Sequence, residues 1–172
     1  SPWVKTQPGE GPVFFQLMAR SGDPFERILN KMGEQGVKAV DLNLACDAIA
    51  IKSCEAGSGL YQNFDSMRSV VEQARKYWPG ILTAKIRLGS ERGDWQKAFV
   101  ERIRFLEENG IDALTIHPRF FEDKFRRRAR LELIPWVASL TRLPLIANGD
   151  LTGAEQVRQN AEHLSPACAI MI

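Results

Sequence analysis

Four apolar segments of this sequence each end in side chains able to bind or react. Val40 to Leu60 reads V-D-L-N-L-A-C-D-A-I-A-I-K-S-C-E-A-G-S-G-L, so a strand ends at Asn43 and a thiol, Cys46, follows at its mouth. Thr83 to Gly89 brings up Lys85 and Arg87, Leu114 to Arg119 brings up His117 and Arg119, and Leu145 to Asp150 closes on Asn148, Gly149 and Asp150. An unperturbed thiol titrates near about 8.5, so at neutral pH it can act as an acid. A lysine at the inward end of an apolar strand needs an anionic partner, because burying an unpaired ammonium is costly. A neutral imidazole donates and accepts at once, as do the carboxamides of Gln16 and Asn43. In Asn148-Gly149-Asp150 the glycine lets backbone N–H groups come close to an anion. Parallel strands aim their C-terminal ends at a common face, and in a β/α barrel that face carries the active site. The four segments therefore describe one site.

Those ends need elements to hold them side by side. Val13 to Met18 is a strand carrying Gln16. Asp23-Pro24-Phe25-Glu26 predicts a helix start with Asp23 as N-cap, Pro24 at the first helical position and Glu26 closing a capping box. Phe25, Ile28, Leu29 and Met32 give that helix one apolar face, and Gly33 and Gly36 end it. Strand Lys38 to Asn43 follows. Met67, Val70, Val71, Ala74 and Trp78 then repeat the helical period until Pro79-Gly80, and strand Ile81 to Arg87 comes next. Asp94 caps a helix that turns Ala98, Phe99, Ile103 and Leu106 to the sheet, with Gly110 past its end. Asp112 to His117 is the fourth strand. A helix around Leu131 to Leu140 leads to strand Pro144 to Asn148, and Thr152-Gly153-Ala154-Glu155 opens a second capping box before the last strand, Ala169 to Ile172.

Such alternation predicts an α/β fold with a parallel sheet and helices outside it, a TIM (β/α)8-type barrel represented by six of its eight βα units. Eight units usually take about 250 residues, against 172 here. The expectation is one domain, residues 1–172, forming a partial barrel without its first two strands. The formal charge of +2 is too small to argue for nucleic acid, so any basic footprint must be local. No stretch approaches about eighteen consecutive apolar residues and no signal-peptide pattern opens the sequence, so no membrane span is expected and the cytoplasm is the default location. Cys46, Cys54 and Cys168 lack CxxC spacing and only His117 and His163 could join them, which predicts neither a disulfide framework nor a metal site.

Gln16 in F-F-Q-L-M, then V-D-L-N-L-x-C, A-G-S-G-L, K-I-R-L-G, I-H-P-R and I-A-N-G-D, in that order, resemble the tRNA-dihydrouridine synthases, flavoenzymes that reduce uridine in tRNA. The resemblance runs from about Val13 to Ile172. It implies an FMN-binding TIM-barrel catalytic domain, followed in the family by a helical tRNA-binding domain outside residues 1–172, with NADPH as reductant and tRNA as partner. It implies Cys46 as the acid that protonates C5 of the uracil while hydride reaches C6. It assigns Lys85 and His117 to the flavin ring, Gln16 to the flavin's polar edge, Asn43 to uracil or flavin, and Asn148, Gly149 and Asp150 to the side of the FMN phosphate. Arg87 and Arg119 fall to the substrate. Three positions depart from the family pattern: its usual Gly-Cys-Pro is Ala45-Cys46-Asp47 here, and Pro118 stands where it has glycine. Asp47 would disfavour a neighbouring thiolate.

Lys124-Phe125-Arg126-Arg127-Arg128-Ala129-Arg130 is the one dense basic run, and it follows the His117 strand end. Arg126 and Arg127 could engage RNA phosphates, and Phe120, Phe121 and Phe125 could stack an extruded base. Trp3 and Trp136 are expected only to pack. Ordinary structural roles fit the same residues: a small buried thiol at Cys46, a lysine snorkelling to the rim, a plain N-G-D turn. Two other functions stay open on sequence grounds. One is a different FMN-dependent TIM-barrel oxidoreductase acting on a small molecule, and the other a non-catalytic remnant that binds RNA or protein. The oligomeric state is not fixed by the sequence.

Overall fold

The computed structural model describes residues 11–124 and 126–172; Trp3 and Phe125 lie outside them. In chain order the elements are β1 (Phe14–Leu17), α1 (Phe25–Glu34), β2 (Ala39–Asn43), α2 (Ile49–Ser53), α3 (Ser58–Gln62), α4 (Phe64–Tyr77), β3 (Ile81–Gly89), α5 (Trp95–Glu108), β4 (Ala113–Phe120), α6 (Ile134–Ser139), β5 (Leu145–Asn148), α7 (Ala154–Gln159), α8 (Ala161–Leu164) and β6 (Ala169–Met171). Among the described residues, six strands form one sheet in the order β1-β2-β3-β4-β5-β6. Every pairing is parallel. A strand order that never reverses is the wall of a singly wound barrel, not the doubly wound sheet whose order turns back on itself. The fold is therefore a six-unit part of a TIM-type barrel.

Register explains how one sheet serves both a core and a site. Gln16, Asp41 and Thr83 are paired neighbours, as are Asn43, Lys85 and Thr115, and Arg87 pairs with His117. Successive side chains on a strand point to opposite faces. Asp41 and Asn43 thus share a face with Thr83, Lys85 and Arg87, and with Thr115, His117 and Arg119. The other face carries Val40, Leu42, Leu82, Ala84, Ile86, Leu114, Ile116, Leu145 and Ala147, all buried. Against it pack Leu29 and Met32 of α1, Met67, Val70, Val71 and Ala74 of α4, and Phe99, Ile103 and Leu106 of α5. The helices supply the apolar cover, and the polar residues gather on the concave side.

Two helix starts differ from the sequence expectation. Pro24 occupies the cap position of α1 without a side-chain cap, and Asp23 Oδ2 instead accepts from the Arg20 backbone N–H at 2.8 Å. Gly153 caps α7 and Thr152 makes no capping bond, so the second capping box does not form. Asp94 does cap α5, accepting from Lys97 N–H at 3.0 Å. The segment expected as one helix near Leu131 is a 3-10 turn, Leu131–Leu133, running into α6.

Candidate active site

The strand ends surround a cleft of about 480 Å3 lined by Gln16, Asn43, Cys46, Lys85, Arg87, His117 and Arg119, with Asn148, Gly149 and Asp150 across from them. Of the residues assigned to catalysis, flavin or substrate, all but Arg126 and Arg127 are there. The thiol is half-buried, on a loop held at both ends. Asn43 Oδ1 accepts from Ala45 N–H at 3.1 Å and from Cys46 N–H at 3.0 Å. The Cys46 carbonyl accepts from Ser58 N–H at 2.8 Å. Gly57, just before, has φ +54°, and a Cβ there would stand 2.5 Å from the Cys46 carbonyl oxygen. Only glycine permits so close a crossing of the two loop segments.

The cleft is rich in cations. Lys85 Nζ donates to Asn148 Oδ1 at 2.9 Å, and no carboxylate among the described residues forms an ion pair with it. Burial, and then the Arg87 charge, hold its ammonium below the usual lysine range, while Asp41 pulls it back up. Arg87, whose side chain is 4% exposed, meets Asp47 Oδ2 at 3.2 Å. His117 is pushed down to about 3, first by burial and then by Arg87, Lys85 and Arg119. It is therefore neutral at physiological pH. Arg119 lies 3.0 Å from His117 Nε2, and a guanidinium can only donate, so Nε2 accepts and the ring proton sits on Nδ1.

Arg119 also locks the far side of the cleft. It donates to Asp150 Oδ1 at 2.6 Å and to the Arg127 carbonyl at 2.8 Å, and Asp150 Oδ2 accepts from Ala129 N–H at 2.7 Å. Gly149 has φ +114°, and a Cβ there would sit 2.8 Å from His117 Cδ2 and 2.9 Å from the Ala129 side chain. A thiol, a lysine hydrogen-bonded to Asn148, a neutral imidazole and a glycine turn thus lie together at the parallel strand ends.

The family model for dihydrouridine synthases matches residues 3–172. The chain belongs to the dihydrouridine synthase family. It is 33% identical over 139 residues to tRNA-dihydrouridine synthase B of Pasteurella multocida, covering 81% of this chain and 41% of that protein. To tRNA-dihydrouridine synthase B of Klebsiella pneumoniae it is 34% identical, covering 81% of this chain and 42% of the relative. The chain thus spans less than half the length of these curated relatives. Among solved structures, a 4-hydroxy-tetrahydrodipicolinate synthase from Methylacidiphilum fumariolicum superimposes with a TM-score of 0.63 at 12% identity, over 95% of this chain and 54% of that one. At that identity the likeness speaks for the barrel fold alone.

For this dihydrouridine synthase family member, the structure places the basic run outside the cleft. Arg127 pairs with Glu91 at 2.9 Å and with Asp123 at 3.4 Å, and Arg130 pairs with Asp123 at 2.5 Å. Arg126 is exposed on the same loop. Base stacking by Phe120 and Phe121 is not what the fold provides. Both are buried, Phe120 edge-on to Trp95 and Phe121 edge-on to Tyr61, because the end of β4 tucks them under the loop.

Sequence reading passed over Asp41, Thr83 and the partner of Asp47. Asp41 is 6% exposed, below Asn43 on the same face of β2. The alternations D-L-N, T-A-K-I-R and T-I-H-P-R were the available signal, since a polar residue at every second position marks one polar face. Among the described residues no three His, Cys, Asp or Glu side chains gather as metal ligands, and no helix is long and apolar enough to cross a membrane.

Proposed function

We propose that the chain is the flavin- and uridine-binding face of a tRNA-dihydrouridine synthase, an oxidoreductase that saturates the C5–C6 bond of uridine in tRNA with FMN as cofactor and NADPH as reductant. The observation that carries this reading is Cys46 and Lys85 on one cleft, in a chain of this family. The residues fit a flavin mononucleotide. Lys85 offers a partly buried ammonium, Gln16 and Asn148 carry carboxamides, and His117 presents a neutral imidazole. Gly149 lets the turn assigned to the phosphate pack directly against His117 and Ala129, and Asp150 acts there by orienting Arg119. When bound, the flavin supplies hydride to C6.

Cys46 supplies the proton to C5, and Asn43 fixes the thiol's loop through two backbone N–H groups. General acid catalysis of this kind contributes about 10²- to 10⁴-fold. Lys85 stabilises negative charge in a low-dielectric cleft, where a fixed cation acts more strongly than in water. Arg87 and Arg119 line the cleft beside Asp47 and Asp150, and the exposed Arg126 and Arg127 on the neighbouring loop are the residues assigned to an RNA backbone. A tRNA substrate is in keeping with a cytoplasmic protein.

The test is the visible spectrum of the protein titrated with FMN, for wild type and Lys85→Ala. The reading expects a perturbed flavin band in wild type and weaker binding or slower reduction in the variant. Identical binding and reduction in both would remove Lys85 from the site.

A further inference from the structure

Asp41 anchors a line of hydrogen bonds that ends on the loop of the thiol. Its Oδ1 accepts from Thr83 Oγ1 at 2.7 Å and its Oδ2 from Gln16 Nε2 at 2.8 Å. Gln16 Oε1 accepts from Asn43 Nδ2 at 2.7 Å. Asn43 Oδ1 then accepts from the backbone N–H groups of Ala45 and Cys46. Both ends of the line have fixed polarity: a carboxylate only accepts, and a backbone N–H only donates. Two carboxamides between them fit in a single orientation each. Turning either one sets donor against donor or acceptor against acceptor inside a site where unmet polar groups cost most.

We infer that Asp41 is a positioning residue for Cys46, imposing through Gln16 and Asn43 the one arrangement that holds the thiol's loop. The residue lies beneath the cleft and is not among its lining. Register makes the line possible, because Gln16, Asp41 and Thr83 sit side by side on β1, β2 and β3. Burial pushes the Asp41 carboxyl up, and the bonds from Thr83 and Gln16 together with the Lys85 charge pull it down again. The groups that hold its charge are thus members of the line or the cation beside it. The catalytic weight of the inference rests on the proposed role of Cys46; the positioning does not.

The experiment measures two things on the whole chain: hydrogen exchange at the Ala45 and Cys46 amides, and alkylation of Cys46 by iodoacetamide, with exposed Cys54 as internal reference. Asp41→Leu removes the acceptor, and both rates should rise roughly tenfold, the loss expected for about one hydrogen bond. Exchange at Leu42 and Ala84 should stay as in wild type, whereas a purely structural defect would raise it along β2 and β3. Asp41→Asn should stay within about twofold, because the Thr83 hydroxyl can accept from the new amide and leave its oxygen for Gln16. Gln16→Leu breaks the line one step nearer the cleft and should match Asp41→Leu, which keeps the test decisive should Asp41→Leu fail to fold. Wild-type rates at Ala45, Cys46 and the thiol in a folded Asp41→Leu or Gln16→Leu variant would overturn the inference. These rates report the loop whether or not the thiol is a catalyst, so absence of turnover with tRNA bears on the proposed function alone.

Discussion

Arg87 and Asp47 meet at 3.2 Å, joining the residue after the thiol to the strand that carries Lys85. In place of a loop stiffened by proline, this chain has a loop tied by an ion pair to a nearly buried guanidinium. Asp47 thereby ties the loop of Cys46 to β3. Asp47→Ala should destabilise the fold by about 3 kcal/mol, the low end for removing one partner of a buried pair. Asp47→Glu should recover part of that. Thermal unfolding of the two variants checks it; equal midpoints for wild type and Asp47→Ala would mean the pair does not hold the loop.

The neutral His117 has a consequence for acid stability. Its value in the fold is about 3 against an ordinary 6.5, so below 6.5 the unfolded chain takes up a proton that the folded chain refuses. Stability should fall as the pH drops from 6.5 toward 4.5, above the range where the carboxylates Glu122 and Asp123, held below their ordinary values of 4.5 and 3.8, contribute their own loss. The raised Asp41 carboxyl works in the opposite direction, favouring the fold as it takes up a proton. His117→Gln should flatten the decline. A slope in urea-unfolding free energy between those two pH values that is the same in wild type and His117→Gln would count against a buried neutral imidazole.

Gly149→Ala tests the turn beside His117. A methyl group there meets the imidazole at 2.8 Å and Ala129 at 2.9 Å on a backbone with φ +114°. Strain and overpacking should together cost about 1–3 kcal/mol, and FMN binding should weaken because both sides of the turn must move. Unaltered stability and unaltered flavin titration would show that the turn has slack.

Open sheet edges should make the chain associate. Among the described residues β1 pairs only with β2 and β6 only with β5, and Phe14, Ile170 and Met171 are exposed beside those edges. Unpaired strand edges with apolar neighbours invite pairing between chains. Sedimentation velocity should show a weight-average mass rising with concentration. A concentration-independent monomer would contradict this.

Much of this architecture was legible in the residues, because each strand is a short apolar run followed by punctuation and each longer helix shows its period. The cleft was legible for a related reason: a parallel sheet brings strand ends together whatever lies between them, so Cys46, Lys85, His117 and Asn148 could be placed on one face without coordinates. Reading the strands simply as apolar hid the period-two alternation that puts Asp41, Thr83 and Thr115 on the inner face. Helices α2 and α3 are too short for any period to show. The Asp47–Arg87 pair joins residues far apart in sequence and needed the parallel register of β2 and β3 to be seen. Phe120 and Phe121 looked available to a base because they follow the strand end, yet β4 runs on to Phe120 and folds both rings into the core.

In the proposed reaction Cys46 gives the proton that completes uridine reduction. The measurement is single-turnover reoxidation of flavin-loaded, pre-reduced protein by unmodified tRNA, followed as the return of flavin absorbance, in wild type, Cys46→Ala and Cys54→Ala. Reduction by NADPH should proceed alike in all three, tRNA-dependent reoxidation should slow by about 10²-fold or more in Cys46→Ala, and Cys54→Ala should behave as wild type. Equal reoxidation rates in wild type and Cys46→Ala would contradict the assignment.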